Sequence, residues 1–386
     1  MNQKNRKPAI RFKAFNDPWE QRKFGGLLES VPSKTFIKSP EINGKYEVVQ
    51  QGNDPIMGYA NGYPCEDYQE TVIFGDHTLS LYKPQAPFFV ATDGVRIVKG
   101  KDKSDGFFLF TLLEKYKPQS EGYKRYFSIL SDTSCYFAKN LSEQQKIGEY
   151  FECINSLITL HQRKLDKLQN VKKACLEKMF PQNGESVPRI RFKGFTDTWE
   201  QRKVSEIANF SKGSGYSKGD LTKTGTPIIL YGRLYTKYKF FINEVDTFTK
   251  PKEGAAYSQG NEVIIPASGE TAEEIARASA IEKSGFLLGG DLNIIRPVGS
   301  VNPLFLALTF SNGEPQKQLT KRAQGKSVVH VRNSDIKEVF VSYPSQEEQS
   351  QIVAVFRNLE QIITLHQRKL DKLKNLKKAC LEKMFV

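Results

Sequence analysis

The sequence predicts an α+β protein in which two mixed α/β domains lie at opposite ends of a long antiparallel two-helix coiled coil. Two duplications and one contrast predict this fold. A helical stretch occurs at 158–180 and again at 363–385, and the copies differ at only two positions. A box, IRFKAFNDPWEQRK at 10–23, recurs at 190–203 with eleven identities in fourteen. The blocks between box and helix show no convincing alignment, so a repeated scaffold carries two different domains.

The two helical stretches lack Gly and Pro and are rich in Leu, Lys, Gln, Arg and Glu, which favour helices. Apolar residues recur in them at alternating spacings of three and four, as in a coiled-coil seam. The seam residues are Ile158, His161, Leu165 and Leu168 in the first copy and Ile363, His366, Leu370 and Leu373 in the second. One helix cannot bury so long a stripe, so each copy is predicted to pair with the other. Antiparallel pairing of tandem copies gives a pseudo-twofold axis.

Length and charge limit the possible classes of protein. A chain of 386 residues predicts two or three domains. Its 57 Lys and Arg against 43 Asp and Glu give a net charge of +14. This charge suits binding to a polyanion or to an acidic protein, and the alternative is that the basic residues form a solvated helix face. The basic start is followed by no apolar core and no run is long enough to span a membrane. Five cysteines show no metal-ligand spacing, so we expect a cytoplasmic protein with reduced thiols.

The domain boundaries follow from the repeats. The first domain with its box covers 1–141, and the first long helix covers 142–180. A linker at 181–188 follows, because Pro181 ends the helix and Gly184 and Pro188 keep the chain irregular. The second domain with its box covers 189–344, and the second long helix covers 345–386.

Each block reads as a small mixed α/β domain. The first has short β-rich runs at 46–49, 71–74, 78–81, 88–91 and 95–98, separated by turn residues. A longer apolar segment at 106–116 is predicted to be a helix. In the second block, strands are predicted at 227–231 and 262–266, and helices at 272–282 and 303–311.

The sequence shows no pattern that predicts an active site. The run NPLF at 302–305 is similar to the tetrad with which amino-methyltransferases hold a flipped base. Its third residue is Leu, however, and no glycine-rich cofactor loop follows an early strand. The run KGSG at 212–215 lacks the phosphate-loop spacing, and DIK at 335–337 is too short to indicate a nuclease. The four histidines form no ligand cluster, so no catalytic or metal-binding residue is predicted.

Loops of both blocks carry side chains that suit DNA contact. Arg, Lys, Asn and Gln read base edges, and Lys, Arg, Ser and Tyr hold phosphates. In the first block the candidate DNA-binding residues are Gln50, Gln51, Asn53, Tyr59, Asn61, Lys124 and Arg125. In the second block they are Lys212, Ser214, Tyr216, Lys218, Tyr231, Arg233, Tyr235, Lys237, Lys321, Arg322, Gln324, Lys326 and Ser327. For any one of them, an ordinary surface loop is the alternative interpretation.

The layout of boxes, helices and divergent blocks resembles the specificity subunit of Type I restriction-modification enzymes over essentially the whole chain. Within the blocks, IFGDHT at 73–78 and YGRLYT at 231–236 are similar to signatures of that family's target-recognition domains. The run PSQEEQ at 344–349 resembles the segment that opens its conserved helix. The corresponding NLSEQ at 140–144 lacks the proline, which leaves the start of the first helix less sharply defined.

The resemblance implies a non-catalytic DNA-recognition subunit. Each variable domain would read one half of an asymmetric bipartite target, while the helices would set the spacing and dock two methyltransferase subunits. It also implies two restriction subunits and double-stranded DNA as partners, and no membrane. S-adenosylmethionine, ATP and Mg²⁺ would be bound by the partner subunits, and this chain would hold no cofactor. The alternative is a non-catalytic coiled-coil adaptor that binds acidic protein partners and shows no DNA selectivity.

Overall fold

The computed structural model describes residues 7–182, 184–325 and 328–386. The chain forms two compact units. The first comprises the described residues up to Arg163 together with Gln367–Val386, and the second comprises Lys164–His366. Each unit therefore contains one box, one block, the start of the helix that follows its block, and the end of the other long helix.

The first unit is built from two small sheets, a two-stranded ribbon and helices. Its strands are β1 (Glu20–Lys23), β2 (Leu28–Val31), β3 (Tyr46–Val49), β4 (Ile56–Ala60), β5 (Val72–Gly75), β6 (Leu81–Tyr82), β7 (Phe88–Val90), β8 (Val95–Gly100) and β9 (Ser134–Phe137). Its helices are α1 (Phe24–Leu27), α2 (Gly106–Tyr116), α3 (Tyr126–Asp132) and the first part of α4 (Leu141–Lys178). The sheet orders are β2-β8-β5-β6 and β4-β3-β7, and β1 pairs with β9.

The second unit has the same components with additions. Its strands are β10 (Glu200–Lys203), β11 (Ala208–Lys212), β12 (Leu221–Thr222), β13 (Thr226–Ile229), β14 (Phe241–Ile242), β15 (Phe248–Thr249), β16 (Tyr257–Gln259), β17 (Glu262–Pro266), β18 (Ser268–Gly269), β19 (Ser279–Ile281), β20 (Ser284–Leu288), β21 (Leu292–Pro297), β22 (Val329–His330) and β23 (Phe340–Tyr343). Its helices are α5 (Val204–Ile207), α6 (Arg233–Thr236), α7 (Ala272–Ile275), α8 (Pro303–Phe310), α9 (Gly313–Arg322), α10 (Asn333–Lys337) and the first part of α11 (Gln346–Lys383). The sheet orders are β11-β21-β17-β19-β14 and β12-β15-β13-β20-β16.

The two blocks share a sheet plan although their sequences do not align. In the first, β3 runs parallel to β7 and β5 runs antiparallel to β8. In the second, β13 runs parallel to β20 and β17 runs antiparallel to β21. Strands β5 and β17 are buried along their whole length. A strand covered on both faces needs only apolar residues and not a particular order of them, so its sequence can change while its place in the sheet is kept.

Two sequence predictions within the blocks are wrong. The helix predicted at 272–282 ends at Ile275, and Ser279–Ile281 instead forms a buried strand between β17 and β14. Pairing in the interior of the sheet thus overrides a helical pattern of Ala and Glu. The strand predicted at 78–81 is a turn, in which Leu79 takes a φ of 57°, and only Leu81–Tyr82 is extended.

A buried ion pair ties each box to the start of a long helix. In the first unit Arg11 donates to both carboxylate oxygens of Glu143, at 2.6 and 2.8 Å. In the second unit Arg191 donates to both oxygens of Glu348, at 2.7 and 2.8 Å. Hydrogen bonding to Glu348 raises the pKa of Arg191. Both glutamates are almost fully buried and each needs its arginine as a counter-ion. This requirement explains why the same Arg occurs at the same place in both boxes.

An aromatic cluster joins the end of one long helix to the start of the other in each unit. In the first unit the ring of Phe385 lies 5.5 Å from Trp19, 6.1 Å from Phe108 and 6.0 Å from Phe151. The same arrangement occurs in the second unit, where Phe180 contacts its counterparts at 5.5–6.1 Å, namely Trp199, Phe305 and Phe356. The end of each helix is therefore part of the core of the unit that the other helix begins in.

The helices run antiparallel within the units. In the second unit Lys172 of α4 pairs with Glu360 of α11, and Phe180, two turns further along, packs on Phe356. Residue numbers thus increase along α4 while those of its partners on α11 decrease. Leu165 and Leu370 are buried, as the predicted seam requires, and the remaining seam residues are partly buried. At 38 residues each, α4 and α11 are about 57 Å long.

A capped helix links each block to its long helix. The side chain of Asn302 accepts hydrogen bonds from the N–H groups of Leu304 and Phe305, and its own N–H donates to Gln349. Asp105 does the same in the first unit, accepting from Phe108 and donating its N–H to Gln144. The NPLF run is therefore a helix N-terminus, with Asn as the cap and Pro in the first turn.

We expect Asn302→Ala to lower the free energy of unfolding of the second unit by about 1 kcal/mol, the usual value of an N-cap. Asn302→Asp is the matched control, because its carboxylate restores the acceptor and it should melt near the wild-type temperature. Thermal melting of both variants is the measurement. If Asn302→Ala and Asn302→Asp were equally destabilised, the side chain would have a role other than capping.

Candidate nucleic-acid interface

Loops of the first unit meet at one edge of its sheets. Because β3 and β7 are parallel and β8 follows β7 directly, the loops after β3, β5 and β7 lie side by side. The N–H of His77 donates to Oε1 of Gln51 at 3.2 Å, and the N–H of Gly52 donates to Oγ of Ser80 at 2.9 Å. We name residues 50–53, 76–80, 91–94 and 121–125 the first strand edge.

The second unit has an equivalent edge. The loops after β13, β17 and β20 meet there, and the hydroxyl of Tyr235 donates to the carbonyl of Ser268. Oγ of Ser268 lies 3.1 Å from Nδ1 of His330. Ser214 forms a bridge with Gly289, which brings the loop after β11 to the same edge. We name residues 212–216, 230–235, 267–271, 289–291 and 328–330 the second strand edge.

The candidate residues of the first block fall into two groups. Five of them, Gln50, Gln51, Asn53, Lys124 and Arg125, belong to the first strand edge, and the last two are exposed. The remaining two lie at the opposite end of the β3–β4 hairpin, where β4 ends beside the first residue of β3. There, Tyr59 is exposed and Asn61 holds a loop by hydrogen bonds to Glu41. The seven candidates therefore do not form one surface.

Several candidates of the second block are engaged in the fold. Tyr216 is buried, and its hydroxyl accepts the N–H of Lys252 at 2.6 Å. Burial raises the pKa of Tyr235, whose hydroxyl is bonded to Ser268. Tyr216 and Tyr235 therefore support the second strand edge, and Tyr231 is the aromatic candidate that is exposed there.

The basic candidates of the second block differ in how free they are. Arg233 donates to Asp246 at 2.5 Å and Lys237 contacts the same carboxylate. Hydrogen bonds from Lys237 and then Arg233 lower the pKa of Asp246, so both cations are partly neutralised. Arg322 donates to the carbonyls of Gln318 and Glu338.

The other basic and polar candidates of this block are more accessible. Lys212, Lys218, Lys321 and Gln324 are exposed, and Ser214 is half-buried, with its Oγ accepting the N–H of Ala256 at 3.0 Å. Lys326 and Ser327 lie outside the described residues.

Three residues that were not among the candidates lie at the two strand edges, namely His77 and Tyr123 at the first and His330 at the second. His77 stacks on the ring of Tyr123, with centroids 4.7 Å apart and planes 1° from parallel. His330 lies beside Ser268 at the second strand edge. The signal for His77 was its place in the loop that follows the buried strand β5, in the run IFGDHT, because loops carry binding residues more often than the elements they connect.

Asp76, which precedes His77, has a structural role instead. Its carboxylate accepts the N–H of Phe127 at 2.8 Å and bonds from Arg96 at 3.0 and 3.1 Å. Asp76 is almost fully buried, so it fixes the loop that carries His77 and does not itself face a ligand.

The described ranges contain no group of three or more His, Cys, Asp or Glu side chains placed to hold a metal ion. All five thiols are free. No helix in the described part of the chain combines the length and the hydropathy that crossing a membrane requires.

The chain is similar to known proteins in sequence pattern and in fold. Residues 16–170 and 196–375 match the model of the family described as Type I restriction modification DNA specificity domain. The solved S subunit of the Type I restriction-modification system from M. genitalium is similar, with a TM-score of 0.68 and 14% identity over 98% of this chain and 99% of that chain. The HsdS subunit from Thermoanaerobacter tengcongensis is 16% identical over 97% and 98%, with a TM-score of 0.41. No curated protein matches significantly. The predicted α+β fold with its internal duplication is confirmed.

Proposed function

Because the chain belongs to the family of Type I restriction-modification DNA specificity domains, we propose that it is the DNA sequence-recognition subunit of such a complex. Each unit reads one half of an asymmetric, bipartite double-stranded target. One observation carries this proposal: two strand edges stand on the same sheet plan but expose different side chains. Gln51 and His77 belong to the first edge, whereas Tyr231 and His330 belong to the second. Different side chains on the same plan read different bases.

The long helices dock two methyltransferase subunits and set the spacing between the half-sites. Apolar side chains outside the seam are exposed at matching positions of the two helices, which suits one kind of partner bound twice. They are Leu157, Leu160 and Val171 on α4 and Ile362, Leu365 and Leu376 on α11. Two restriction subunits complete the complex, which acts in the cytoplasm. Methylation with S-adenosylmethionine and cleavage with ATP and Mg²⁺ belong to the partners, and this chain is not an enzyme.

Exchange of one block tests the proposal most directly. Replacing 24–140 by the corresponding block of a relative keeps the box and the helix, so the complex should still assemble. We expect one half of the target to change and the other to stay the same. Methylation mapping of a genome that carries the complete system is the measurement. A change in both halves would contradict independent readout. If the unaltered chain showed no DNA selectivity, the alternative function, an adaptor that binds protein partners, would be favoured.

A heptad insertion tests whether the helices set the spacing. Seven residues inserted after Gln169 and seven after Lys374 keep the seam in register. They lengthen each helix by about 10 Å, which corresponds to about three base pairs of DNA. We expect the gap of the selected target to widen by about three base pairs while both half-sites stay the same. An active variant that selects the original gap would show that the helices serve for docking alone.

A further inference from the structure

We propose that Gln51 and His77 together read the major-groove edge of one adenine in the half-site of the first unit. This inference rests on the proposed function, because it assumes that the first strand edge contacts DNA. It adds two things: which side chains read a base, and which base they read.

The hydrogen bond at Nδ1 fixes the proton on the ring of His77. Nδ1 lies 3.1 Å from the main-chain carbonyl oxygen of Lys124. A carbonyl oxygen can only accept, so Nδ1 carries the proton and the neutral ring has its lone pair on Nε2. No residue in the described ranges bonds to that Nε2, which leaves it as an acceptor for an external N–H group.

A second hydrogen bond orients the amide of Gln51. Its Oε1 accepts the N–H of His77 at 3.2 Å, and an N–H can only donate. Nε2 of Gln51 therefore points away from this bond. Among the described residues none accepts from it, so both of its hydrogens are available to a ligand.

The free donor of Gln51 and the edge of the His77 ring that carries the acceptor lie near one point. A Cβ built on Gly94 would be 3.0 Å from Nε2 of Gln51 and 3.4 Å from Cδ2 of His77, the ring atom bonded to Nε2. Gly94 has no side chain to fill this space. The ring of Tyr123, which is 86% exposed, stacks on one face of His77 and holds the plane of that ring.

A donor beside an acceptor selects adenine among the four bases. In the major groove adenine offers an acceptor at N7 and a donor at N6, whereas guanine offers two acceptors there. Cytosine offers a donor alone, and thymine an acceptor and a methyl group. Nε2 of Gln51 would donate to N7, and Nε2 of His77 would accept from the N6 amino group. Arg125, exposed beside the pair, supplies positive charge for the phosphates, whereas exposed Lys124 is partly neutralised by Glu121 at 2.8 Å.

The test is selection of targets from random double-stranded DNA by the full chain in its methyltransferase complex. We expect His77→Ala and Gln51→Ala each to relax the same adenine position of one half-site and to leave the other half intact. Tyr63→Ala is the matched control, because Tyr63 is a fully exposed ring at the opposite end of the β3–β7 sheet, and it should select the wild-type target.

Base analogues at that position then separate the two contacts. Purine without the N6 amino group should weaken wild-type binding roughly 2- to 12-fold, the range for one hydrogen bond, and should not weaken His77→Ala further. 7-Deazaadenine, which lacks N7, should weaken the wild type and His77→Ala but not Gln51→Ala.

Each remaining outcome overturns one statement. Uniform weakening across all sequences would make the pair a phosphate contact and overturn adenine readout. Retention of every base preference by His77→Ala would overturn it as well. Failure of the unaltered chain to select any bipartite target would overturn the proposed function itself.

Discussion

Phe385→Ala should lower the free energy of unfolding of the first unit by about 3–5 kcal/mol, the range for removing a buried Phe ring. Phe385 is 2% exposed and contacts Trp19, Phe108 and Phe151, although more than 200 residues separate it from each of them. The ring fills the centre of the aromatic cluster, so its removal leaves a cavity that the neighbouring elements cannot close. Hydrogen exchange resolved along the chain should show loss of protection in the box and in α2.

Phe180→Ala is the matched control. Phe180 occupies the equivalent place in the second unit, 3% exposed between Trp199, Phe305 and Phe356. It follows the first block in sequence, yet its removal should loosen the second unit and leave the exchange of the first box and of α2 near the wild-type rate. If each Ala variant loosened the unit of its own preceding block, the assignment of the helix ends to the units would be wrong.

Glu143→Leu should also be costly, by about 3–5 kcal/mol, because it leaves Arg11 without its counter-ion in a site that is largely closed to water. The side chains are 12% and 1% exposed, and the bond is bidentate. Thermal melting and chemical denaturation measure the loss.

The double variant Arg11→Met with Glu143→Leu distinguishes charge from packing. A buried pair replaced by apolar residues of similar size is often neutral or stabilising, so we expect the double variant to recover most of the stability. Glu121→Ala is the control for a surface pair: its partner Lys124 is exposed, and this variant should melt near the wild-type temperature. A double variant as unstable as Glu143→Leu would mean that the ion pair is needed for geometry and not only for charge balance.

The scaffold could be predicted because its physical causes are local and repeated. The seam has a fixed period, and Leu165 and Leu370 are buried where that period places them. The helix 106–116 and the strand 262–266 were predicted within their observed bounds, because each contains a run of apolar residues with turn residues nearby. Where partners are remote in sequence, local patterns are insufficient. Ser279–Ile281 is a strand only because β17 and β14 lie on either side of it.

The candidate interface was predicted less well, since composition shows which side chains suit DNA but not which loops meet. Gln51 was a candidate and His77 was not, yet a hydrogen bond joins them across 26 positions. Tyr216 and Arg233 had suitable chemistry, but the first is buried and the second is paired with Asp246. Only the pairing of β3 with β7 and of β5 with β8 determines the set of loops at the first strand edge.

The division of the helices between the units has a consequence for biosynthesis. A ribosome that has completed residue 366 has made the whole of the second unit, whereas the first unit still lacks Cys380, Met384 and Phe385. About 220 residues separate Arg163 from that last ring, which at bacterial and eukaryotic translation rates takes roughly 10–45 s. During this interval Trp19, Phe108 and Phe151 lack Phe385, the side chain that packs on all three of them. The unit that begins to be made first is therefore the one that is completed last.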